Sequence, residues 1–425
     1  MKIRRSLFVD QECNSLYAAT AIALSVFVFA YSARFGQVSI LLYYALWLPL
    51  IMVDHRRVLS TVQTFPIIYL FAALAVFSVF WSQAPGATLR GGIQMLSHVI
   101  CATFAASVVS NRSLSIGVLF GATLVLLYSL FFGRYSYNPI DGSYTFVGLF
   151  SSKNQLGFFA SLGLVFGFFN LFYIVTGNAQ KSLCLGIIFL SAYILAISSS
   201  ATSIVSVFIT LSFLFGLMSL SVFTANTQKV VFFSSLALAI CGFYLAIELN
   251  VFEFILALFG KDSTLTGRTY LWSEGFAAAT EAPWFGWGYL AYWVQGFSEA
   301  ERLWAEFFIE SRTGFHFHNT YIEALVELGY VGAVLLIWLL ISTLVMAFSK
   351  LMKGQFQPQA MLTCSLLVLL TIRSVSEVDI LTPYTVGSFI FYFLATKLRV
   401  VQRRNAGPYL IEPRYAGTKV RALGG

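Results

Sequence analysis

Residues 315–348 decide the fold, and they read FHFHNTYIEALVELGYVGAVLLIWLLISTLVMAF. From residue 321 onward the stretch is predominantly apolar, and a membrane-spanning helix needs about 20 such residues. Just before that run stand His316 and His318, two of the four histidines in the chain. Imidazole is the side chain whose unperturbed pKa lets it accept a proton near neutral pH. The stretch therefore places titratable chemistry where a polar segment enters the membrane.

The composition of the whole chain extends this interpretation. Hydrophobic residues make up 58% of the 425 residues and charged residues 10%, with a mean hydropathy of +0.80. Soluble domains carry about 25% charged residues. We therefore expect an all-α polytopic membrane protein with about 12 transmembrane helices, in the segments 16–33, 38–53, 66–81, 91–110, 114–132, 155–176, 183–199, 202–222, 230–248, 321–348, 359–376 and 381–398. Ser198-Ser199-Ser200 is the only break between the seventh and eighth segments.

The distribution of Lys and Arg predicts the orientation. An even number of spans puts both termini on one side, and basic residues concentrate in the short segments that share that side. Such segments are cytoplasmic. The polar segment 249–320, between the ninth and tenth spans, is then a large outer loop, in which we expect short amphipathic helices. The basic tail 399–425 is predicted to be disordered. The net charge of +8 suits contact with anionic lipid rather than nucleic acid.

Several basic residues lie on the outer side against that rule. Arg90, Lys153 and Arg373 each adjoin a span, where a basic group either snorkels or helps to bind a lipid-linked phosphate. Arg268, capped by Thr266 at the start of a surface helix, offers a planar two-point grip on phosphate oxygens. The alternative for these residues, and for Arg312 in the same loop, is pairing with the many outer acids.

Two further groups are candidate substrate contacts. Lys153 and Asn154 follow serines at a helix start, where an ammonium and backbone N–H groups can meet an anion. Trp272 and Trp287 belong to a tryptophan-rich loop, and they either stack on sugar rings or form an interfacial aromatic belt.

The paired histidines suggest one general base. His316 and His318 are two residues apart, so on a strand their side chains face opposite ways. Asn319 is placed to orient the base or to bind a substrate hydroxyl. A metal needs further ligands, and the five cysteines have no metal-ligand spacing. We therefore expect neither a metal nor another cofactor.

Four short motifs occur in order between residues 80 and 332. They are WSQAP at 81–85 with Leu89-Arg90, KNQLG at 153–157, GRTYLW at 267–272 with PWFGWG at 283–288, and HNTY at 318–321 with GYVG at 329–332. The ordered set resembles the O-antigen ligase and Wzy-type polysaccharide polymerase superfamily, in particular its ExoQ-like exopolysaccharide polymerase branch.

This resemblance implies a membrane glycosyltransferase domain over residues 1–398. The donor would be a glycan on undecaprenyl pyrophosphate at the periplasmic face of the bacterial inner membrane. Arg268 would hold the pyrophosphate and His318 would deprotonate the acceptor in a metal-independent, inverting transfer. Lys153, Asn154, Asn319, Arg90, Arg312, Arg373, Trp272 and Trp287 are the candidate substrate-binding residues.

The sequence departs from the family pattern at one place. Many relatives carry a basic residue in a serine-rich element at the end of a span, and Ala201 occupies that position here. We expect Lys153, Arg90 or Arg373 to supply the missing charge.

The favoured function is therefore polymerisation of lipid-linked oligosaccharide repeats, with a flippase and chain-length or export proteins as partners. The first alternative is a ligase that moves a lipid-linked glycan to lipid A core or to a protein. A third possibility, of another class, is a transporter of small anions such as bicarbonate. A transporter would more often place charges at mid-membrane.

Overall fold

The computed structural model describes residues 6–137, 142–249, 251, 267–354 and 356–405. These residues fold almost entirely into helices. The helices are α1 (Ser6–Val9), α2 (Ser15–Phe35), α3 (Gln37–Val53), α4 (His55–Thr64), α5 (Ile67–Phe77, continued by a 3-10 turn at Ser78–Phe80), α6 (Pro85–Val108), α7 (Asn111–Phe132), α8 (Lys153–Tyr173), α9 (Asn178–Ser198), α10 (Ala201–Leu220), α11 (Ala225–Glu248), α12 (Arg268–Glu281), α13 (Ser298–Glu306), α14 (Thr320–Lys353), α15 (Pro358–Ser374) and α16 (Val386–Asn405).

The helices confirm an all-α, multi-pass membrane protein, and each of the twelve predicted segments coincides with a helix. Among the described residues eight helices are long and apolar enough to span a membrane: α2, α6, α7, α8, α9, α10, α11 and α14. α3 meets α4 at a bend of 86°, and α5 and α15 are shorter apolar helices. The count of twelve crossings therefore stays a prediction.

The serine break at 198–200 does separate two helices. Ser199 ends α9 in a left-handed conformation, with φ of 50°. Ser200 begins α10 as its N-cap and accepts a hydrogen bond from the backbone N–H of Ser203. A serine at this position satisfies a helix donor that would otherwise lack a partner. α9 and α10 are thus distinct elements, as the segment boundaries predicted.

Helix α8 lies at the centre of the bundle and α11 lies at its margin. α8 packs against α7, α9 and α10, and 78% of the residues in its most apolar stretch are buried. In the corresponding stretch of α11 no residue is buried, and the exposed apolar side chains of this helix are suited to contact with lipid. Because α8 begins at Lys153, the motif residues Lys153 and Asn154 stand at the end of the most buried of the eight candidate spans.

A short β-hairpin joins α7 to α8, and the sequence analysis did not predict it. Strands β1 (Arg134–Tyr137) and β2 (Tyr144–Gly148) are antiparallel, with Tyr135 opposite Phe146 and Ser136 opposite Thr145. Alternation along the strands puts Arg134 on one face with Ser136 and Thr145.

The segment 267–319, between α11 and α14, forms a small layer with its own apolar core. Leu271 of α12, Leu303 of α13, Tyr292 and Phe317 pack together with Ile322 at the start of α14. The predicted short loop helices are therefore present as α12 and α13. Residues 252–266 of that loop, including the proposed cap Thr266, lie outside the described residues.

The PWFGWG turn clamps this layer onto a kink in α14. Gly329 has φ of 63° and interrupts the helix, which leaves the carbonyls of Val326 and Glu327 to accept hydrogen bonds from the N–H groups of Trp287 and Gly288. A Cβ at Gly329 would lie 2.3 Å from the carbonyl carbon of Trp284. The backbones touch so closely that glycine is required there.

The end of the last helix differs from the predicted boundary. α16 continues to Asn405, so the first residues of the expected disordered tail are helical. Arg399 is buried and donates hydrogen bonds to Thr343 Oγ1 and Ser342 Oγ of α14, which tie this turn to the bundle. Residues 406–425 lie outside the described residues.

Candidate active site at one end of the helix bundle

The turn after α15, residues 375–377, gathers side chains from distant parts of the chain. The carbonyl of Ser376 accepts a hydrogen bond from Arg268 Nη1 at 2.8 Å, and that of Val375 accepts one from Asn319 Nδ2 at 3.0 Å. The hydroxyl of Thr320 donates to the carbonyl of Glu377 at 2.6 Å. The starts of α12 and α14 are thereby fixed to the end of α15.

Glu377 is the centre of this arrangement. Its Oε1 accepts hydrogen bonds from Asn154 Nδ2 at 2.7 Å and from Arg268 Nη2 at 3.0 Å, and its Oε2 lies 3.7 Å from His318 Nδ1. Burial alone would raise the pKa of this carboxyl. The interaction with His318 and the charge of Arg268 outweigh burial and hold the pKa of Glu377 well below its usual range. Glu377 is therefore a carboxylate at neutral pH.

His318 lies at the accessible edge of the cluster. Its side chain is 22% exposed, and its Nδ1 is 3.5 Å from Arg268 Nη2 as well as 3.7 Å from Glu377 Oε2. The backbone of His318 is left-handed, with φ of 51°. A non-glycine residue in that region is uncommon and tends to persist where the surroundings hold it, as they often do at functional sites.

His316 supports the backbone of His318. Its Nδ1 accepts a hydrogen bond from the His318 N–H at 3.0 Å, and the two rings are 4.2 Å apart. The expectation that the two side chains face opposite ways was wrong, because the segment turns at His318 instead of continuing as a strand. Burial, with the neighbouring charges of His318 and Arg268, lowers the pKa of His316. Its ring is therefore neutral at neutral pH.

Three of these groups lie close enough to be considered as metal ligands. Possible donor atoms of His316, His318 and Glu377 are all within 4.8 Å of one another. Nδ1 of His316 already accepts the His318 N–H, and Glu377 already receives hydrogen bonds from Arg268 and Asn154. The guanidinium beside the carboxylate also opposes a second cation. The arrangement favours an ion-paired site over a metal centre.

Two side chains at the start of α14, its N-cap Asn319 and Glu323 in its first turn, position the histidine segment. Glu323 Oε2 accepts the backbone N–H of Phe317 at 2.7 Å, and its Oε1 accepts Trp293 Nε1 at 2.9 Å. Asn319 caps α14 by accepting the N–H groups of Tyr321 and Ile322. Its Nδ2 meanwhile donates to Val375, so Asn319 has a structural role beside the predicted base.

A cavity of about 620 Å³ opens on this cluster. Its volume falls within the roughly 300–1,000 Å³ typical of small-molecule sites. The hairpin, the start of α8 and the 307–314 segment complete its wall, and the chemically active lining residues are Arg134, Lys153, Asn154, Arg268, Glu310, His316, His318 and Glu377. Arg268, Lys153, Asn154 and His318 were expected at one site, and all four line this cavity.

Asn154 connects the cavity to the serine-rich start of α10. Its Oδ1 accepts a hydrogen bond from Ser200 Oγ at 2.8 Å, and its carbonyl accepts one from Ser203 Oγ at 3.3 Å. The amide is therefore oriented with Nδ2 toward Glu377. Asn154 is 9% exposed, and these contacts make it a support of the carboxylate.

The other predicted cationic residues are elsewhere. Arg90 is exposed on α6, and Arg312 pairs with Glu301 at 3.3 Å; neither lines the cavity. Arg373 is 0% exposed and is held by Asp379 at 2.6 Å, by Ser203 at 3.1 Å and by the ring of Phe158. Through Ser203, Arg373 thus contacts the first turn of α10, where Ala201 lies, but its side chain is enclosed by protein.

The two tryptophans proposed as sugar contacts use their indole N–H groups within the loop layer. Trp272 Nε1 donates to the carbonyl of Phe317, and Trp287 Nε1 donates to that of Ala278. Neither is among the residues that line the cavity. Their contact with sugar stays a prediction, and their described contacts are structural.

Two cavity residues were not singled out by the sequence analysis as site residues. Glu377 had one available signal: it and Asp379 are the only acids in the apolar region 359–398. Arg134 lies between two predicted spans, and nothing in the sequence analysis indicated the hairpin that carries it to the cavity.

Fold and site define a multi-pass membrane protein with an arginine, a glutamate and a histidine on one cavity wall. The family model described as O-antigen ligase matches residues 186–337, a range that contains Arg268 and His318. Over 410 residues the chain is 47% identical to the exopolysaccharide production protein ExoQ of Rhizobium meliloti (strain 1021), covering 96% of this chain and 94% of that protein. The chain therefore belongs to the O-antigen ligase superfamily, in its ExoQ-like branch, as the motifs predicted.

Proposed function

We propose that this protein is a polymerase that joins lipid-linked oligosaccharide repeats into an exopolysaccharide. The observation that carries the proposal is the placement of Arg268, Glu377 and His318 together on one cavity wall. Membership of a superfamily of glycan ligases and polymerases, and similarity to an exopolysaccharide production protein, support the same class of reaction.

The donor in this proposal is a glycan on undecaprenyl pyrophosphate. The acceptor hydroxyl gives its proton to His318 while its oxygen bonds to the anomeric carbon of the donor. The bond between that carbon and the pyrophosphate oxygen breaks, and the lipid pyrophosphate leaves with the electron pair. Attack on the face opposite the leaving group inverts the anomeric centre. Arg268 stabilises the charge that develops on the leaving oxygen.

Glu377 prepares His318 for this role. A carboxylate oxygen near Nδ1 favours the tautomer with a proton on Nδ1, which leaves the lone pair on Nε2 for the acceptor hydroxyl. The same carboxylate stabilises the imidazolium that forms. A positioned base of this kind contributes about 10²–10⁴-fold to a rate. No metal or other cofactor takes part in the proposed reaction.

We place this chemistry at the periplasmic face of the inner membrane, with both termini cytoplasmic. Residues 1–398 form the transferase domain, and donor, acceptor and membrane lipids are its immediate partners; a flippase and chain-length or export proteins would act before and after it. The bias of basic residues supports the orientation. A reporter fused after Lys229 should be cytoplasmic, and one inserted near Ser298 should be periplasmic. A cytoplasmic signal near Ser298 would contradict the periplasmic position of the site.

The direct test of function is a reconstituted reaction. Purified protein in lipid nanodiscs, supplied with undecaprenyl-pyrophosphate-linked repeats and a chelator, should produce a ladder of lipid-linked oligomers. Detection of single repeats alone, from protein that is folded and supplied with its own organism's repeat, would contradict the polymerase assignment.

A ligase is the second candidate, because the matching family model is described as O-antigen ligase. A ligase uses the same donor chemistry and differs in its acceptor. The same reconstitution with lipid A core added separates the two. Glycan transferred to lipid A core, without oligomers of the repeat, would establish the ligase reaction instead.

A further inference from the structure

The charges on the cavity wall do not all remain available to a substrate. Its basic residues are Arg134, Lys153 and Arg268, and its acids are Glu310 and Glu377. Arg268 and Glu377 form a 3.0 Å ion pair with side chains only 13% and 5% exposed. This pair has no net charge, whereas a lipid-linked sugar diphosphate brings two negative charges. A donor of that class needs another cation.

The hairpin supplies one. Arg134 is the first residue of β1 and is exposed, and it lines the cavity together with Ser136, Thr145 and Val147. Ser136 is paired with Thr145, and the register shifts between Arg134 and Tyr135. The rings of Tyr135, Tyr144 and Phe146 contact one another. Among the described residues, no hydrogen bond or ion pair engages the Arg134 guanidinium.

The geometry also brings hydroxyl donors to the same wall. Ser151 and Ser152, at the start of α8, line the cavity, and Lys153 Nζ donates to Ser143 Oγ at 3.3 Å beside the hairpin. Guanidinium groups bind phosphate oxygens through two parallel N–H donors, and neighbouring hydroxyls complete such sites. Arg373 and Arg90 do not line the cavity.

We propose that Arg134 is a substrate-binding residue that contacts the diphosphate of the lipid-linked donor. The proposal rests on the proposed function for the class of donor. Arg134 thereby adds a positive charge to the cavity wall beside Lys153, in a chain that has Ala201 where many relatives carry a basic residue. Arg268, neutralised by Glu377, acts beside the reacting carbon, and Arg134 holds the diphosphate from the hairpin side.

The test uses a prenyl pyrophosphate without sugar as the probe, such as farnesyl pyrophosphate, and the full-length protein in nanodiscs. We expect Arg134→Gln to raise the dissociation constant about tenfold, which corresponds to about 1.4 kcal/mol. Arg134→Lys should recover part of the affinity, since it restores the charge without the two-point contact. The matched control is Arg34→Gln, another exposed arginine, at the end of α2 and outside the cavity lining. This control should stay within twofold of the wild-type value.

Binding is measured without turnover, so this test and the test of function can fail separately. Wild-type protein that binds the probe but forms no oligomer or ligated product would refute the proposed function alone. An unchanged dissociation constant for Arg134→Gln, in a variant with the thermal unfolding midpoint of the wild type, would overturn the role of Arg134. Failure of the wild-type protein to bind the probe would overturn it too. In the polymerase assay, Arg134→Gln should raise KM for the lipid-linked repeat more than it lowers kcat.

Discussion

Two histidines lie in polar clusters of this protein, and their surroundings differ in kind. His98, on α6, is 0% exposed; its Nε2 meets Ser388 Oγ at 2.9 Å and its Nδ1 meets Tyr43 OH at 3.3 Å. His318 is 22% exposed, lines a cavity, and lies between a guanidinium and a carboxylate. Both rings have polar neighbours, but only His318 has a charged pair and access to a ligand.

The comparison distinguishes a histidine whose hydrogen bonds serve stability from one whose surroundings suit a reaction. Inside a membrane an unpaired polar group is costly, so hydrogen bonds around His98 are what stability alone requires. Its neighbours Phe29 and Phe389 close the space around the ring. Around His318 the protein instead keeps a buried ion pair whose side chains also bind the Ser376 carbonyl and the Asn154 amide. Such an arrangement is costly to assemble and is expected where charge must be stabilised during a reaction.

After the loss of the base itself, the largest effect should come from removing the cation of the His318 cluster. Arg268→Ala should lower polymer formation by about 10²–10³-fold, since one preorganised donor to developing negative charge is lost. Arg268→Lys should recover little, because lysine does not reach Ser376 and Glu377 with fixed donors at once. The measurement is the initial rate of repeat coupling, with protein amount and unfolding midpoint determined in parallel. Full activity of Arg268→Ala would show that another residue recognises the phosphate.

The next effect concerns Glu377, the residue that joins the two charged partners. Glu377→Gln keeps the shape and an acceptor for Asn154 but removes the negative charge. We expect a loss smaller than that from removing the base itself. Without the carboxylate, imidazole binds its proton less tightly, so the acidic limb of the kcat/KM profile should move to lower pH. An unchanged pH profile together with a lowered unfolding midpoint would reduce Glu377 to a structural role.

His316 tests how much of the His318 geometry depends on one hydrogen bond. His316→Ala removes the acceptor for the His318 N–H and should lower kcat less than Glu377→Gln does. His316→Asn, which restores an acceptor, should recover part of that loss. The rate should not respond to added zinc in either variant. Equal loss at His316 and His318, reversed by zinc, would instead support a metal centre formed with Glu377.

The smallest effect on catalysis should come from replacing His98, the buried histidine of the comparison. His98→Ala leaves Tyr43 and Ser388 without their partner, and an unsatisfied buried group costs about 1–3 kcal/mol. We expect a lower unfolding midpoint and a kcat per folded molecule close to that of the wild type. A kcat loss as large as that of the His318 cluster would break the distinction between the two histidines.

The sequence predicted the parts of this site that are local. Lys153 at the start of α8 and Arg268 at the start of α12 follow from helix-start patterns, and the apolar runs predicted the helices around them. The sequence places the serines of 198–203 and Asn154 at helix ends. Nothing local in the sequence indicates that Ser200 contacts Asn154.

The parts that were missed depend on long-range contacts. Glu377 is 109 residues from Arg268 along the chain, and the packing of both α12 and α15 against α14 brings them together. His316 was given the wrong orientation because the positive φ of His318 has no signature in a non-glycine residue. Arg373 looked like an accessible boundary cation, yet Asp379 and Phe158 enclose it.

The central claim, that the cluster around His318 is the glycosyl-transfer site, is tested most directly by comparing His318→Ala with His98→Ala. Both proteins would be reconstituted in nanodiscs with the same lipid-linked repeats, and oligomer length and rate would be measured per folded molecule. The account predicts that His318→Ala loses about 10²–10⁴-fold in rate and leaves single repeats, while His98→Ala still forms the wild-type ladder. A wild-type ladder from His318→Ala would contradict it.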